Sequence, residues 1–303
     1  MNAADRQAII KAHLQPFAIK SDLRGAWLVF CQWAGTLAIF AGVAIWPNLV
    51  TIVLGTVLLG GRQLGFFILT HESGHRTLFK TQRLNDITNH WLTSPLNYMN
   101  GDAYMREHLD HHRAAGTAQD PDLKNYADYP ITRERLKRKL TRDLTGRTGA
   151  RNLLATYKAI WNLNEQHSED RLALMRGVVV NVLMIITMAA LGAVWLYVCW
   201  MAALIFVYPA IIRIRQIAEH AAVPDLQSDD ALRNTRTTAA GPLARLLICP
   251  HQVNYHVEHH LLASIPIYHL RAAHEQLKAL GYFNGIKVPH SYGQVLRDVT
   301  AVA

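Results

Sequence analysis

Two stretches of this chain carry no charged residue over lengths that a soluble helix does not need: Trp27 to Gly61, 35 residues, and Gly177 to Ile212, 36 residues. One bilayer crossing takes about 20 apolar residues. Each block is too long for one crossing and is expected to cross twice, turning near Pro47-Asn48 in the first and near Gly192 in the second, where helix-breaking residues sit. The remainder is too polar for lipid and must fold outside it.

Charge placement orients this arrangement, because Lys and Arg are retained on the cytoplasmic side. Of 31 Lys and Arg residues, 4 precede Trp27, 17 lie from Arg76 to Arg176 and 9 follow Ile212, while neither outer turn holds any. Both termini and the central segment are therefore expected in the cytosol. The net charge of +9 is explained by this topology and by attraction to anionic headgroups, so no nucleic-acid partner is inferred. Asp5, Arg6 and Lys11 precede any apolar run, which argues against a cleavable signal. The segment from Ala4 to Phe17 is read as an interfacial amphipathic helix. Three cysteines, Cys31, Cys199 and Cys249, give no disulfide framework.

The expected architecture is all-α: four transmembrane helices as two hairpins (27–70 and 177–215), with a cytosolic helical cap from 71–176 and 216–303, all one integral membrane domain spanning 1–303. A basic stretch, Arg133, Arg135, Lys137, Arg138, Lys139 and Arg142, is interleaved with Leu136, Leu140 and Leu144 at helical spacing. It reads as a solvated or headgroup-facing helix, or as a docking surface for an acidic partner.

Nine of sixteen histidines fall in four short places. They are His71 and His75 in HESGH; His108, His111 and His112 in HLDHH; His220 in RQIAEH; and His256, His259 and His260 in HVEHH. Residues three or four apart share one helix face, so each box aims its imidazoles together. His71 follows the second crossing and His220 the fourth, so two hairpins put all four clusters on one side. Nine imidazoles exceed what one metal accepts, which argues for two metals. Imidazole suits Fe, Zn, Cu and Ni alike, so the ligand type leaves the metal open. HESGH also matches the H-E-x-x-H pattern of zinc proteases, an alternative that would leave seven clustered histidines without a task.

HESGHRTLF, REHLDHH followed by QDPD, the AEH after the fourth crossing, and NYHVEHHLLASIP together resemble the membrane fatty acid desaturase family, which includes hydroxylases of lipids and carotenoids. The resemblance runs from the first crossing to about Leu280. It implies a di-iron centre held by His71, His75, His108, His111, His112, His220, His256, His259 and His260. The implied activity is an O2-dependent oxidoreductase that introduces a double bond into a fatty acyl chain or lipid; the alternative is a di-iron hydroxylase of a lipid, carotenoid or small apolar molecule. Acyl-CoA-type members place an Asn four residues before the extra histidine, where this chain has Gln216. The carboxylates Glu72, Asp110, Glu219 and Glu258 are candidates, with Gln216, to orient the ligands. No heme or flavin module is recognisable, so the electrons are expected from a separate ferredoxin or cytochrome b5. Arg62, alone in a crossing, is expected to meet a polar group of the substrate or to snorkel.

Overall fold

The computed structural model describes residues 3–300, with side chains from residue 8 onward; these residues form helices and no strand. The principal helices are α1 (Ala3–Leu14), α2 (Asp22–Ile45), α3 (Leu49–Gly74), α4 (Gly101–Ala114), α5 (Arg133–Leu144), α6 (Arg147–Trp161), α7 (Ser168–Ala190), α8 (Trp195–His220), α9 (His256–Leu261) and α10 (Leu270–Ala279). α2, α3, α7 and α8 are each long and apolar enough to cross a membrane.

The breaks fall where the sequence puts them. Asn48 caps α3 by accepting the N–H groups of Val50 and Thr51, and Thr51 returns a hydroxyl oxygen to the Asn48 N–H, a capping box worth about 1 kcal/mol. Gly192 makes the second turn at φ +69°. α2 and α3 run antiparallel: Gly55 packs on Val43, and Gln32 Nε2 donates to the Arg62 carbonyl at 2.7 Å. From Leu49 to His71, α3 rises about 33 Å at 1.5 Å per residue, enough to clear a hydrocarbon core of about 30 Å. Trp27, Leu37, Val53, Leu183 and Val198 are exposed around the four helices. An apolar collar of this kind suits lipid and not water.

Three details differ from the sequence reading. The stretch before α4 does not stay outside the helices: Leu96 is buried with Phe66 and Trp200, and Asn97 Nδ2 donates to the Gln63 carbonyl at 2.9 Å. Arg62, expected to meet a substrate group or to snorkel, has its Nη2 on the Leu246 carbonyl at 3.0 Å. α1 buries Ile10 and Leu14 in the same core as Leu270 and Leu277 of α10, so its apolar side covers protein instead of lying on a bilayer.

α8 is not uniform. Ala203–Val207 is wound as a π-helix, which widens the turn and pushes Ile205 against α6. A Cβ on Gly149 would come 2.3 Å from the Ile205 carbonyl oxygen, so only glycine fits there. On α5 the basic residues surround a buried Leu136, while Asp143 is fully buried and pairs with Arg213 of α8.

The turns at Asn48 and Gly192 lie at the opposite ends of their helices from His71 and His220. Cysteine introduced at Asn48 should therefore be labelled by an impermeant reagent from one side of the membrane and cysteine at Asp128 from the other. Labelling of both from one side would break the pairing of four crossings.

Candidate metal centre

Each histidine is presented by a specific local structure. His71 lies in the last turn of α3 and His75 caps that helix. α4 starts at Asn100, whose Oδ1 accepts the Ala103 N–H, and it carries His108, His111 and His112 on one face. His220 ends α8, and α9 holds His256, His259 and His260. The four clusters meet.

Ligand atoms of His71, His75, His108, His112 and His259 all lie within 4.8 Å of one another, and those of His111, His220 and His260 form a second such group. His256 joins the second group through His220, with Nε2 atoms 2.9 Å apart. The groups touch where the His112 and His260 rings stack at 4.3 Å. Other short Nε2 approaches are His71 to His108 at 2.8 Å, and His112 to His108 and to His259 at 3.0 Å.

His111 Nδ1 donates to Asp120 at 2.8 Å and His220 Nδ1 to the Asn234 carbonyl at 3.4 Å. A neutral imidazole has one N–H, so the Nε2 atoms of these two rings are lone pairs turned inward. His256 Nδ1, 3.6 Å from Glu219, is buried without a hydrogen-bond partner. His75 Nε2 and His260 Nε2 are likewise buried without a partner. Burial holds His75 down to about 4, and holds His108, His256, His259 and His260 well below the ordinary imidazole value, so all present neutral rings at pH 7. The donor set fits two metal ions, five nitrogens for one and four for the other.

The proposed orienting carboxylates divide. Glu219 lies between Arg215, at 2.7 Å, and His256. Glu72 sits 3.3 Å from His71 Nδ1, outside good hydrogen-bond alignment, and its Oε2 accepts from Thr77 at 2.8 Å and from the Ile267 N–H at 3.1 Å. With that oxygen doubly engaged, Glu72 ties α3 to the C-terminal segment, unlike the free base a zinc protease needs. Glu258 is buried behind α9, where it accepts from His274 Nδ1 at 2.6 Å and from Thr237. Asp110 is exposed and paired with Arg113, turned away from the metal face. Gln216 lines the pocket beside His220.

Comparison with known proteins places the chain. The sequence model of a family described as fatty acid desaturase matches residues 46–292, most of the chain and all four histidine clusters. The chain belongs to the fatty acid desaturase family. It is similar to the sn-1 oleoyl-lipid 12-desaturase of Anabaena variabilis, at 22% identity over 261 residues, covering 79% of this chain and 73% of that protein.

Around the histidines the structure also places residues that reading the sequence alone did not single out. Asp120, from QDPD, accepts from His111 and Tyr126; burial would raise its pKa, but those bonds outweigh burial and hold its carboxyl below the usual range. The motif was visible in the sequence, but its aim at His111 was not. Tyr126 stacks on His220 at 4.9 Å and Tyr104 on His108 at 5.4 Å. Arg236 donates to the carbonyls of Ile217, Ala218, Ala221 and Ala222, closing the end of α8 that carries His220.

Proposed function

We propose that this protein is a membrane-embedded di-iron oxidase that removes two hydrogens from the hydrocarbon chain of a lipid. His71, His75, His108, His112 and His259 hold one iron, and His111, His220, His256 and His260 hold the other. The observation that carries this reading is the all-imidazole double cluster, with its inward lone pairs, set at the ends of two long apolar helices. Bound iron would supply the reduction of O2 that the chain's own side chains cannot perform. The overall reaction consumes the lipid, O2, two electrons and two protons, and yields the alkene and two waters. Reductant comes from a separate one-electron donor such as a ferredoxin or cytochrome b5.

The chain's residues do the rest. Asp120 and the Asn234 carbonyl hold the Nδ1 protons of His111 and His220 and so keep their Nε2 atoms turned to the metals. Phe67, Tyr104, Ile212 and Tyr126 wall the pocket beside the histidines and keep bulk water from it. The active site and both termini face the cytosol, on the side favoured by Lys and Arg.

Purified protein is expected to carry close to two irons per chain with little zinc, and product from a supplied lipid should lose two hydrogens by mass spectrometry. One stoichiometric zinc without iron would sink the reading; a gain of one oxygen would turn it to hydroxylation.

A further inference from the structure

The outward face of α6 is both apolar and basic, and no described part of the protein covers it. Its height follows from its contacts. A Cβ on Gly146, just before α6, would come 2.5 Å from the Phe206 ring, and one on Gly149 would come 2.3 Å from the Ile205 carbonyl oxygen. Ile205 and Phe206 belong to the charge-free block of α8, eight and seven residues before Arg213, or about 10–12 Å to its bilayer side at 1.5 Å per residue. Toward the other end of α6, Tyr157 packs on Tyr98, with ring centroids 6.1 Å apart, and Tyr98 lies against Gly177, where the charge-free block begins in α7. α6 therefore runs along the edge of the bilayer on the histidine side. Its inner side, with Gly149, Leu153 and Thr156, closes a polar cavity of about 440 Å³ against Asn97 and Tyr208.

The outer side carries two adjacent stripes. Leu154 and Trp161, seven residues apart and so on one face, are 60% and 90% exposed. Beside them Arg147, Arg151 and Lys158 are exposed as well. α6 holds no acidic residue. Asp128 is committed to Arg135 and Asp143 to Arg213, and none of the three cations makes an ion pair among the described residues. Where α5 meets α6, the stripes open into a surface depression of about 840 Å³ whose lining includes Lys137, Arg138, Arg142 and Arg147 and no acidic side chain. A soluble acidic protein would match the charge but not an apolar stripe held at the level of lipid. A phospholipid with a negative headgroup matches both: its chain covers the stripe, and the cations lay their stems along apolar surface and keep their charges at the phosphates.

We propose that α6 and the end of α5 bind anionic phospholipids of the leaflet on the histidine side, with phosphates received by Arg138, Arg147, Arg151 and Lys158 and acyl chains laid on Leu154 and Trp161. The proposal rests on the membrane-embedded part of the proposed function and is independent of the di-iron chemistry.

The test reconstitutes the whole chain in bilayers of phosphatidylcholine and phosphatidylglycerol, with bromine on the acyl chains of one lipid at a time. Quenching at Trp161 is read as the tryptophan signal of the native chain minus that of Trp161→Phe. Each cation near an anionic surface contributes about fivefold, so association at Trp161 should favour phosphatidylglycerol by at least about tenfold. Replacing Arg138, Arg147, Arg151 and Lys158 together by Gln should bring the ratio to within about twofold. All four side chains are exposed, so the fold should survive, and replacing the three arginines by Lys instead should keep the preference. Equal quenching by the two lipids in the native chain would overturn the proposal, as would a preference that survives the four glutamines. Quenching of Trp161 by aqueous acrylamide and by neither lipid would also overturn it, leaving the cations to an acidic protein. Displacement of phosphatidylglycerol by sn-glycerol 3-phosphate would mark a site for free phosphate and refute the lipid. Trp27 of α2 and Trp46 just after it, both exposed, keep the two levels apart. Quenching of these by brominated lipid without Trp161 refutes the site alone, and quenching of none refutes the membrane reading.

Discussion

Replacing His220 with alanine is expected to lower iron content from close to two per chain to close to one and to reduce turnover by more than about 100-fold. Changes in groups that merely orient a ligand already cost about 10–100-fold, and this change removes the ligand itself. The remaining partners of that iron would be His111, His256 and His260. Of these, His256 reaches the group through His220, its Nε2 lying 2.9 Å from that ring, so its loss of alignment compounds the deletion. The five-histidine group shares no nitrogen with His220 and should keep its metal. Elemental analysis with single-turnover product assays checks both halves. Full activity in His220→Ala would show that the second group holds no catalytic metal.

Much of this arrangement was legible in the sequence because two simple periodicities survive into the fold. Charge-free length announced the four long helices, and the i, i+3, i+4 spacing of HLDHH and HVEHH announced shared faces. The boundaries shifted outward, with α3 reaching Gly74 and α7 starting at Ser168, because polar residues continue a helix once it has left lipid. The orienting groups were legible only in part. Asp110 and Glu258 occupy the third position of their boxes, about 200° around the helix from the first histidine, so both face away from the metal side. Residues two apart in sequence lie on nearly opposite sides of a helix. Asp120 and Arg236 reach the site from loops and Asn234 from the end of the short helix Ala231–Asn234, and no local pattern encodes such contacts.

The descent of Leu96 and Asn97 beside α3 was hidden for another reason. Residues 82–97 have no long apolar run; the Leu96 carbonyl accepts from the Trp200 indole N–H and the Asn97 side chain donates to the Gln63 carbonyl, so protein supplies their partners. Polar residues beside such apolar helices are tolerated where protein encloses them. Hydropathy reads lipid contact and so misses it. The same descent forms one wall of the polar cavity.

Arg236→Met should be among the most damaging substitutions outside the histidines themselves. Its guanidinium donates to four carbonyls, at 3.4 and 3.2 Å to Ile217 and Ala218 and at 2.7 and 2.8 Å to Ala221 and Ala222. The last carbonyls of a helix have no partner within it, and here Arg236 holds those of residues three and two before His220 and of the two residues after it. A hydrogen bond from a charged donor contributes about 1.5–3 kcal/mol, so losing even two of the four costs about 3–6 kcal/mol. That is a large part of the 5–15 kcal/mol, roughly, that holds a domain folded. Methionine keeps the volume of the stem and removes the donors, so the loss falls on the cap and not on packing. The thermal midpoint in detergent should fall sharply, and the surviving protein should bind iron poorly at the His220 site while the five-histidine site is less affected. Arg236→Lys, able to reach one or two carbonyls, should recover part of both. Because Arg236 acts through the position of His220, the telling readout is the selective loss of one iron at temperatures where the protein is still folded. Equal loss of both irons, in step with unfolding, would make Arg236 a stabilising residue without a positioning role.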